Sequence, residues 1–392
     1  MIITNAQIIY KDKIENGSVQ IRDGKIVAVN PECIPSGHPI ISNPAFSQDM
    51  HYEEIIDAKG LYLSPGFIDI HIHGAGGKDV MEGTKEAIEV IGMSIAKHGT
   101  TSFCPTTMTM DVQSIRNVLQ TIKDLKNQPV KGAHVLGVHL EGPCINPDKL
   151  GAQNPRYVLD ASISNFHRMI EGYEEFITTI TLAPEMITEE ETISYLNQYG
   201  IHVSMGHTNA SYEEAVAAIE SGVTHATHLY NAMTPFGHRN PGVVGAVFDS
   251  DITTEFIADG IHIDYPALRI ALKQKGTDHI CLITDAMMGC TMPEGIYDLG
   301  GQKVYLKDGM AKLKDGTFAG TLLTLDEAVR NLKNHTEYPL YEIVKMATYN
   351  PAKYCGVEDR KGLIKPGYDA DLLLFDDNVH IDKVMINGNI ID

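Results

Sequence analysis

Histidine and acidic side chains recur at the ends of predicted strands, where together they could hold a divalent metal ion. The first two lie in Phe67-Ile68-Asp69-Ile70-His71-Ile72-His73, where the histidines alternate along a strand and therefore point to one face. The residues that follow later predicted strands in the same way are Glu141, His207, His228 and Asp285. Imidazole and carboxylate ligands with one further aspartate are the composition of a hydrolytic metal site.

Each of these residues also has a structural interpretation, which is the better one when the residue is taken singly. A His-x-His pair can bond backbone or water, and Glu141 can cap a turn before Gly142-Pro143. The later histidines can be buried and hydrogen-bonded, and Asp285 can be a helix N-cap. Because independent structural roles would not place all of them at strand ends, the joint pattern favours a metal site.

The elements that must position these residues alternate between strands and helices. Strands are predicted at 101–103, 135–140, 177–182, 201–205, 256–258 and 279–284, and helices at 85–98, 188–199, 212–221, 325–333 and 340–347. This alternation indicates βαβ units and a parallel sheet. Over about 300 residues it predicts a (β/α)₈ TIM-like barrel, whose active site lies at the C-terminal ends of the strands.

Both ends of the chain are predicted to be β structure. Short strands are indicated at 2–3, 6–10, 18–22, 25–29, 371–375 and 383–386, with Asn387-Gly388 as a hairpin turn. We therefore expect a small β-sandwich domain formed by residues 1–64 and 364–392, and a barrel formed by residues 65–363.

Composition narrows the class of protein. The chain has 392 residues, of which 43% are hydrophobic, so it can form a buried core. A net charge of -20 argues against nucleic acid and against an anionic membrane surface as partners. The sequence shows no apolar run that would cross a bilayer and no signal-peptide start. Six cysteines without close pairs are expected to be free thiols, which favours the cytosol: Cys33, Cys104, Cys144, Cys281, Cys290 and Cys355.

Six ordered motifs resemble the N-acetylglucosamine-6-phosphate deacetylases of the amidohydrolase superfamily. The matching segments are 65–74, His139-Leu140-Glu141-Gly142-Pro143, Gly206-His207-Thr208, 228–233, 258–262 and Thr284-Asp285-Ala286. The resemblance spans essentially the whole chain. It implies a barrel with a β-sandwich made from both termini, and hydrolysis of the acetamide of N-acetyl-D-glucosamine 6-phosphate to D-glucosamine 6-phosphate and acetate.

The resemblance also implies roles for the strand-end residues. It implies that Glu141, His207 and His228 bind a principal metal, and that His71 and His73 help to hold a second one. One or two ions per subunit are expected, Zn²⁺ or Fe²⁺, since imidazole and carboxylate suit both. Asp285 matches the catalytic aspartate, which takes a proton from the metal-activated water and gives one to the departing amine.

Further residues match substrate-binding positions of the family: Ala152, Gln153, Asn231, Ala232, Arg239, His262, Phe318, Ala319 and Gly320. The family arginine that Arg239 matches serves the neighbouring subunit, which implies a homodimer, and its planar fork suits a phosphate. Without the resemblance, Arg239 would be assigned to a solvated loop.

Two positions depart from the family pattern. Gln153 stands where many members have histidine, and glutamine can donate a hydrogen bond but cannot carry a proton charge. We expect a second metal to take over part of the polarisation of the acetyl carbonyl. Thr321 follows Gly320 where serine is usual, and this departure weakens the match to the family's substrate contacts there.

Three alternatives stay open or are set aside on the sequence. N-acetylgalactosamine-6-phosphate deacetylation shares almost every motif, and the sequence does not separate the two sugars. A dihydroorotase-like enzyme would present a metal-bridging lysine at a middle strand end, and no lysine ends a predicted strand. A metal- or sugar-phosphate-binding protein without catalysis would have no use for Asp285 beside the metal.

Overall fold

The computed structural model describes residues 1–30, 54–126, 128 and 130–391, which form a barrel and a sheet built from both ends of the chain. Cys33, together with residues 31–53 of the predicted terminal domain, lies outside the described residues, as does Asp392. Within the described part, no helix combines the length and the apolar character needed to cross a lipid bilayer.

The barrel consists of parallel strands whose spatial order follows the chain. Its strands are Phe67–Ile72, Thr100–Thr107, Val138–Glu141, Ile177–Leu182, His202–Met205, His225–Ala226, Thr253–Ile257 and Ile280–Ile283. A parallel bridge between Ile72 and Ala286 leads from the last strand back to the first, so the barrel is nearly closed. The predicted (β/α)₈ architecture is confirmed.

Helices surround the barrel and cover the apolar outer side of its strands. The α-helices are Lys85–Ala96, Val112–Leu125, Ile163–Ile170, Thr192–Asn197, Tyr212–Glu220, Gly242–Phe248, Tyr265–Lys275, Leu325–His335, Leu340–Ala347 and Tyr349–Tyr354. The 3₁₀ turns are Val80–Glu82, Pro147–Lys149, Pro155–Tyr157, Glu174–Phe176, Pro184–Met186 and Thr277–His279. The first helix buries Ile88, Ile91 and Ile95, which share one helical face, and Thr84 caps its N-terminus through a bond from Ala87 N–H.

Most predicted barrel elements have the expected type, with small differences at their ends. The strand predicted at 177–182 and the helix predicted at 340–347 have those same bounds. The strand predicted at 135–140 is divided into His134–Val135 and Val138–Glu141. The division falls at Gly137, where a side chain would meet the methyl of Thr178 at 2.4 Å.

The second body is an eight-stranded sheet, here called the terminal sheet, and it confirms the small β domain predicted from both termini. Its strands are Ile2–Ile9, Ile14–Arg22, Lys25–Val29, Ile55–Asp57, Tyr62–Pro65, Leu372–Phe375, Ile381–Ile386 and Asn389–Ile391. The sheet packs against an apolar core that includes Ile8 and Leu374, and Lys25 in its third strand forms an antiparallel β-bridge with Asp369. The predicted Asn387-Gly388 turn joins the last two strands.

A three-stranded antiparallel sheet, here called the mouth sheet, was not predicted. Its strands are Gly295–Leu299, Gln302–Lys307 and Met310–Lys312. Val304 and Leu306 face a small core with Met108 and Met287. The signal for it is the Asp308-Gly309 pair between the second and third strands, where both residues have positive φ. A further pair of two-residue strands is formed by Gly74–Ala75 and Lys78–Asp79.

Candidate metal centre and active site

The residues singled out from the sequence converge at the C-terminal mouth of the barrel. His71 lies in the first strand, His73 follows it directly, and Glu141 ends its strand. The other three each lie two residues beyond a strand end: His207, His228 and Asp285. All three have left-handed backbone, with φ of 50, 28 and 49°. Non-glycine residues rarely adopt this conformation, and such strain is concentrated at functional sites.

One buried group of possible ligands consists of Glu141, His207 and His228. Glu141 Oε1 lies 3.2 Å from His207 Nε2 and 3.0 Å from His228 Nε2. The two imidazole Nε2 atoms are 3.2 Å apart. Three ligand atoms at these separations can share one cation.

A second group consists of His71, His73 and Asp285. The Nε2 atoms of the two histidines are 3.3 Å apart, and Asp285 Oδ1 lies 3.3 Å from His73 Nε2. Glu141 lies between the two groups, because its Oε1 is 3.4 Å from His71 Nε2 and its Oε2 is 3.3 Å from His73 Nε2. This placement is what a carboxylate bridging two ions would require.

The hydrogen-bond partners of the histidine rings show that this donor set fits a metal. His73 Nδ1 donates to Thr106 O and His71 Nδ1 donates to Glu255 Oε2, so in the neutral rings that a metal requires both Nε2 atoms present lone pairs to each other. Two lone pairs cannot hydrogen-bond. Metal–nitrogen bonds of roughly 2.0–2.1 Å at a tetrahedral angle separate two ligand atoms by about 3.3–3.4 Å, and the spacings of the centre agree with this.

The carboxylates of the centre are held in their ionised form. Burial acts to raise the pKa of Glu141, but His71 and His207 outweigh it and hold that pKa well below its usual range. Burial also acts to raise the pKa of Asp285, but the adjacent His73 and His71 lower it. An ionised carboxylate is an acceptor only, as a metal ligand or a proton acceptor must be.

A cavity of about 230 Å³ opens beside these groups. Its lining consists of His73, Met108, Glu141, Gly151, Ala152, Gln153, His207, His228, Asn231, Ala232, His262, Asp285, Leu299, Thr317, Phe318 and Gly320. Among the residues that the structure describes, no lysine or arginine lines this cavity.

Three residues predicted for the site do not line the cavity. His71 is fully buried beneath it. Ala319 packs in the core of the mouth sheet, and its N–H donates to Ala311 O, so only its carbonyl is free to face a ligand. Arg239 lies on an exposed loop, where its guanidinium bonds His238 Nε2 at 2.7 Å.

Two polar residues in the lining have fixed orientations. Thr109 N–H donates to Gln153 Oε1 at 2.7 Å, which turns the Gln153 amide N–H toward Glu141 Oε2 at 2.5 Å. His262 Nδ1 is bound to Asp259 Oδ2 at 2.6 Å, so its Nε2 is left for a ligand.

Comparison with known proteins agrees with this geometry. The model of the amidohydrolase family matches residues 62–391. The chain belongs to this family. N-acetylglucosamine-6-phosphate deacetylase of Bacillus subtilis (strain 168) is 35% identical over 395 residues, covering 100% of this chain and 96% of the relative. N-acetylgalactosamine-6-phosphate deacetylase of Escherichia coli O157:H7 is 32% identical over 378 residues, covering 96% and 95%.

Solved structures give the same result. The crystal structure of N-acetylglucosamine-6-phosphate deacetylase from Pasteurella multocida matches with a TM-score of 0.91 at 33% identity, over 99% of this chain and 98% of that one. The resemblance inferred from the ordered motifs is therefore confirmed. This amidohydrolase is a metal-dependent enzyme that hydrolyses an amide bond.

Two buried carboxylates of this amidohydrolase that contact the centre were not predicted from the sequence. Glu255 accepts from His71 Nδ1, and together with His139 these residues form a third group of possible ligands. Asp69 accepts from His71 N–H and from Thr284 Oγ1, and burial raises its pKa to about 7. The available signal was an acidic residue inside an otherwise buried, largely apolar strand, because such a residue must have a partner.

Proposed function

We propose that this amidohydrolase removes the acetyl group of N-acetyl-D-glucosamine 6-phosphate, giving D-glucosamine 6-phosphate and acetate. The observation that carries the proposal is Asp285 at the mouth of the barrel, 3.3 Å from His73, beside the Glu141, His207 and His228 group and in the lining of the 230 Å³ cavity. Relatives from three organisms that match 85–100% of this chain are deacetylases of this sugar phosphate.

In this proposal the principal metal would be held by Glu141, His207 and His228, and a second one by His71 and His73 with Glu141 between them. The ions would be Zn²⁺ or Fe²⁺. When bound, a divalent metal lowers the pKa of a water molecule toward neutrality and polarises the acetyl carbonyl.

Asp285 moves the protons of the reaction. Its carboxylate takes a proton from the water as the oxygen attacks the acetyl carbon. It then gives that proton to the sugar nitrogen, which would otherwise be a very poor leaving group. The aspartate is fixed for this task because its N–H donates to His71 O and its carbonyl accepts from Thr321 N–H, at 2.9 and 2.8 Å.

The remaining lining would bind the sugar. Gln153 presents an amide that is oriented by Thr109 and Glu141, and His262 presents its Nε2. The other proposed substrate contacts are Ala152, Asn231, Ala232, Phe318, Ala319 through its carbonyl, and Gly320.

The substrate phosphate requires a cation that the cavity lining of one subunit does not supply. Arg239 is exposed, and Phe236 on the same loop is 60% exposed. We propose that this loop packs on a second copy of the chain and that Arg239 enters its cavity, so that the enzyme acts as a homodimer. A planar guanidinium suits a phosphate, and it would offset the repulsion of an anion by a chain of net charge -20.

The experiment that tests the function is acetate release from N-acetylglucosamine 6-phosphate and from its galactose epimer, with protein of measured metal content. We expect a higher kcat/KM for the glucose-configured substrate. A higher value for the epimer would assign the chain to the activity of its Escherichia coli relative. If the metal-loaded protein releases acetate from neither substrate, the proposal is wrong.

The protein is proposed to act in the cytosol. Within the described part of the chain its cysteines are free thiols, as is usual in a reducing compartment: Cys104, Cys144, Cys281, Cys290 and Cys355.

A further inference from the structure

The carboxylate of Glu255 contacts one residue of each proposed ligand group. Its Oε2 accepts from His71 Nδ1 at 2.9 Å and from the backbone N–H of His228, also at 2.9 Å. Glu255 is 1% exposed, and His71 and His228 are also buried. We infer that Glu255 is a positioning residue that fixes His71 as a ligand and thereby determines whether the second metal binds. This inference rests on the proposed function of the same centre.

The bond to His71 determines which nitrogen faces the centre. A neutral imidazole has one N–H and one lone pair, and the acceptor at Nδ1 places the lone pair on Nε2. That Nε2 lies 3.3 Å from His73 Nε2 and 3.4 Å from Glu141 Oε1. Without an acceptor, the buried Nδ1–H would be unsatisfied, and the ring would lose the contact that orients it.

His225 lies on the opposite side of the Glu255 carboxylate. Its Oε1 lies 3.5 Å from His225 Nε2, and His225 Nδ1 is bound to Thr253 Oγ1 at 2.6 Å. The backbone carbonyl of Glu255 accepts from Leu229 N–H at 3.0 Å. If the carboxylate turned away from His71, Oε2 would also lose the bond that it accepts from His228 N–H.

The two proposed metal positions depend on Glu255 unequally. His71 receives a bond to its ring, whereas His228 receives one only to its backbone. The ring of His228 keeps its contacts with Glu141 and His207 when Glu255 is changed. Loss of the carboxylate should therefore weaken metal binding at His71 and His73. Metal binding at Glu141, His207 and His228 should be unchanged.

The test is a metal titration of the metal-free full-length protein, with Zn²⁺ as the probe. Bound metal per subunit is measured by mass spectrometry after equilibrium dialysis. Wild type should bind two ions, whereas Glu255→Gln should keep the first affinity and lose about 10–100-fold in the second. Combining Glu255→Gln with His71→Asn should weaken binding no further than His71→Asn alone, since Glu255 acts through His71.

Asp326→Asn is the matched control, because Asp326 is also a buried carboxylate but bonds Thr324 and Arg330 away from the centre. It should bind two ions as wild type does. Circular dichroism checks that Glu255→Gln is folded, and Glu255→Asp, which keeps the charge but withdraws the oxygen from His71, should also weaken the second ion.

The inference is overturned if Glu255→Gln binds both ions with wild-type affinity, if both affinities fall equally, or if wild type binds only one ion. Failure of the proposed function gives a different result. A wild type that binds two ions but releases no acetate would overturn the deacetylase proposal, while the titration would still support the role of Glu255.

Discussion

Three of the histidine rings at the mouth of the barrel are held on the side away from the centre. His73 and His207 donate to the backbone carbonyls of Thr106 and Lys149, and His71 donates to the Glu255 carboxylate. A backbone acceptor survives any side-chain substitution. The ring orientation of His71 is therefore the one that a mutation can most directly disturb.

Replacement of Asp285 by asparagine should separate binding from catalysis. The amide cannot take the proton from water, so kcat should fall about 10²–10⁴-fold. The Glu141, His207 and His228 group is unchanged, so at least one metal should stay bound. Acetate release and metal analysis on the same preparation check this. Retained turnover would remove Asp285 from the proton transfer.

Gln153 offers a second test at the level of one side chain. Its amide donates to Glu141 Oε2 and lines the cavity, so Gln153→Ala should lower kcat by about tenfold through loss of one polar contact. The rate should be measured at equal metal content. An unchanged rate would mean that Gln153 has no part in polarising the carbonyl.

At the scale of elements, the mouth sheet forms part of the cavity wall. Leu299 at the end of its first strand lines the cavity, and Leu306 in its second strand packs with Met287 beneath. The sheet holds none of the proposed metal ligands. Substitutions in the mouth sheet should therefore change substrate binding rather than metal binding.

Leu306→Ala should loosen the mouth sheet by removing buried apolar contacts, at a cost of about 2–4 kcal/mol in the free energy of unfolding. We expect KM for the sugar phosphate to rise several-fold while metal content is unchanged. Tyr305→Ala is the matched control, since Tyr305 is the preceding residue and 39% exposed. Equal effects of the two substitutions would argue against this role of the sheet.

The sequence was sufficient to predict most of the barrel, but it did not predict the mouth sheet or two buried carboxylates at the centre. Hydrophobic strands followed by polar residues predicted His71, His73, Glu141, His207, His228 and Asp285 as one cluster, because parallel strands of a barrel end at one mouth. Glu255 and Asp69 were missed because the partner of a buried carboxylate comes from a distant strand. The mouth sheet was missed because its alternating pattern interrupts the repeat of strand and helix.

At the scale of the whole molecule, charged residues tie the two ends of the chain together. Asp369 bonds Lys25 at 2.6 Å, Arg360 at 2.8 Å and Lys361 at 3.1 Å. Burial acts to raise the pKa of Asp369, but Lys25 and Lys361 outweigh it and lower the pKa to about 2. Its folded pKa is thus below its unfolded value of about 3.9.

This pKa sets a pH dependence of stability. The ionised Asp369 contributes fully to the free energy of unfolding above about pH 4, and this contribution is lost as the pH falls toward 2. Asp369→Asn should lower the free energy of unfolding at pH 7 by about 2 kcal/mol, with a smaller difference at pH 3. Urea unfolding of both proteins at pH 7 and pH 3 measures this difference in the free energy of unfolding. Asp377→Asn, at an exposed carboxylate, should have little effect, and a pH-independent loss in Asp369→Asn would contradict the linkage.

The proposed dimer can be tested by complementation. Arg239→Ala and Asp285→Asn should each be nearly inactive, but a mixed dimer would contain one cavity with both residues intact. Coexpression should therefore restore about a quarter of wild-type activity if dimers form at random. No recovery would mean that Arg239 does not act across an interface.

His207, His228 and Asp285 occupy backbone conformations that suit glycine far better than histidine or aspartate. Each residue therefore costs folding stability that a chain without this chemistry would have no reason to bear. A descendant that lost the reaction would have no reason to keep this backbone strain. Selection for stability alone would thus erase the active site, so engineering for heat resistance should hold these three positions fixed.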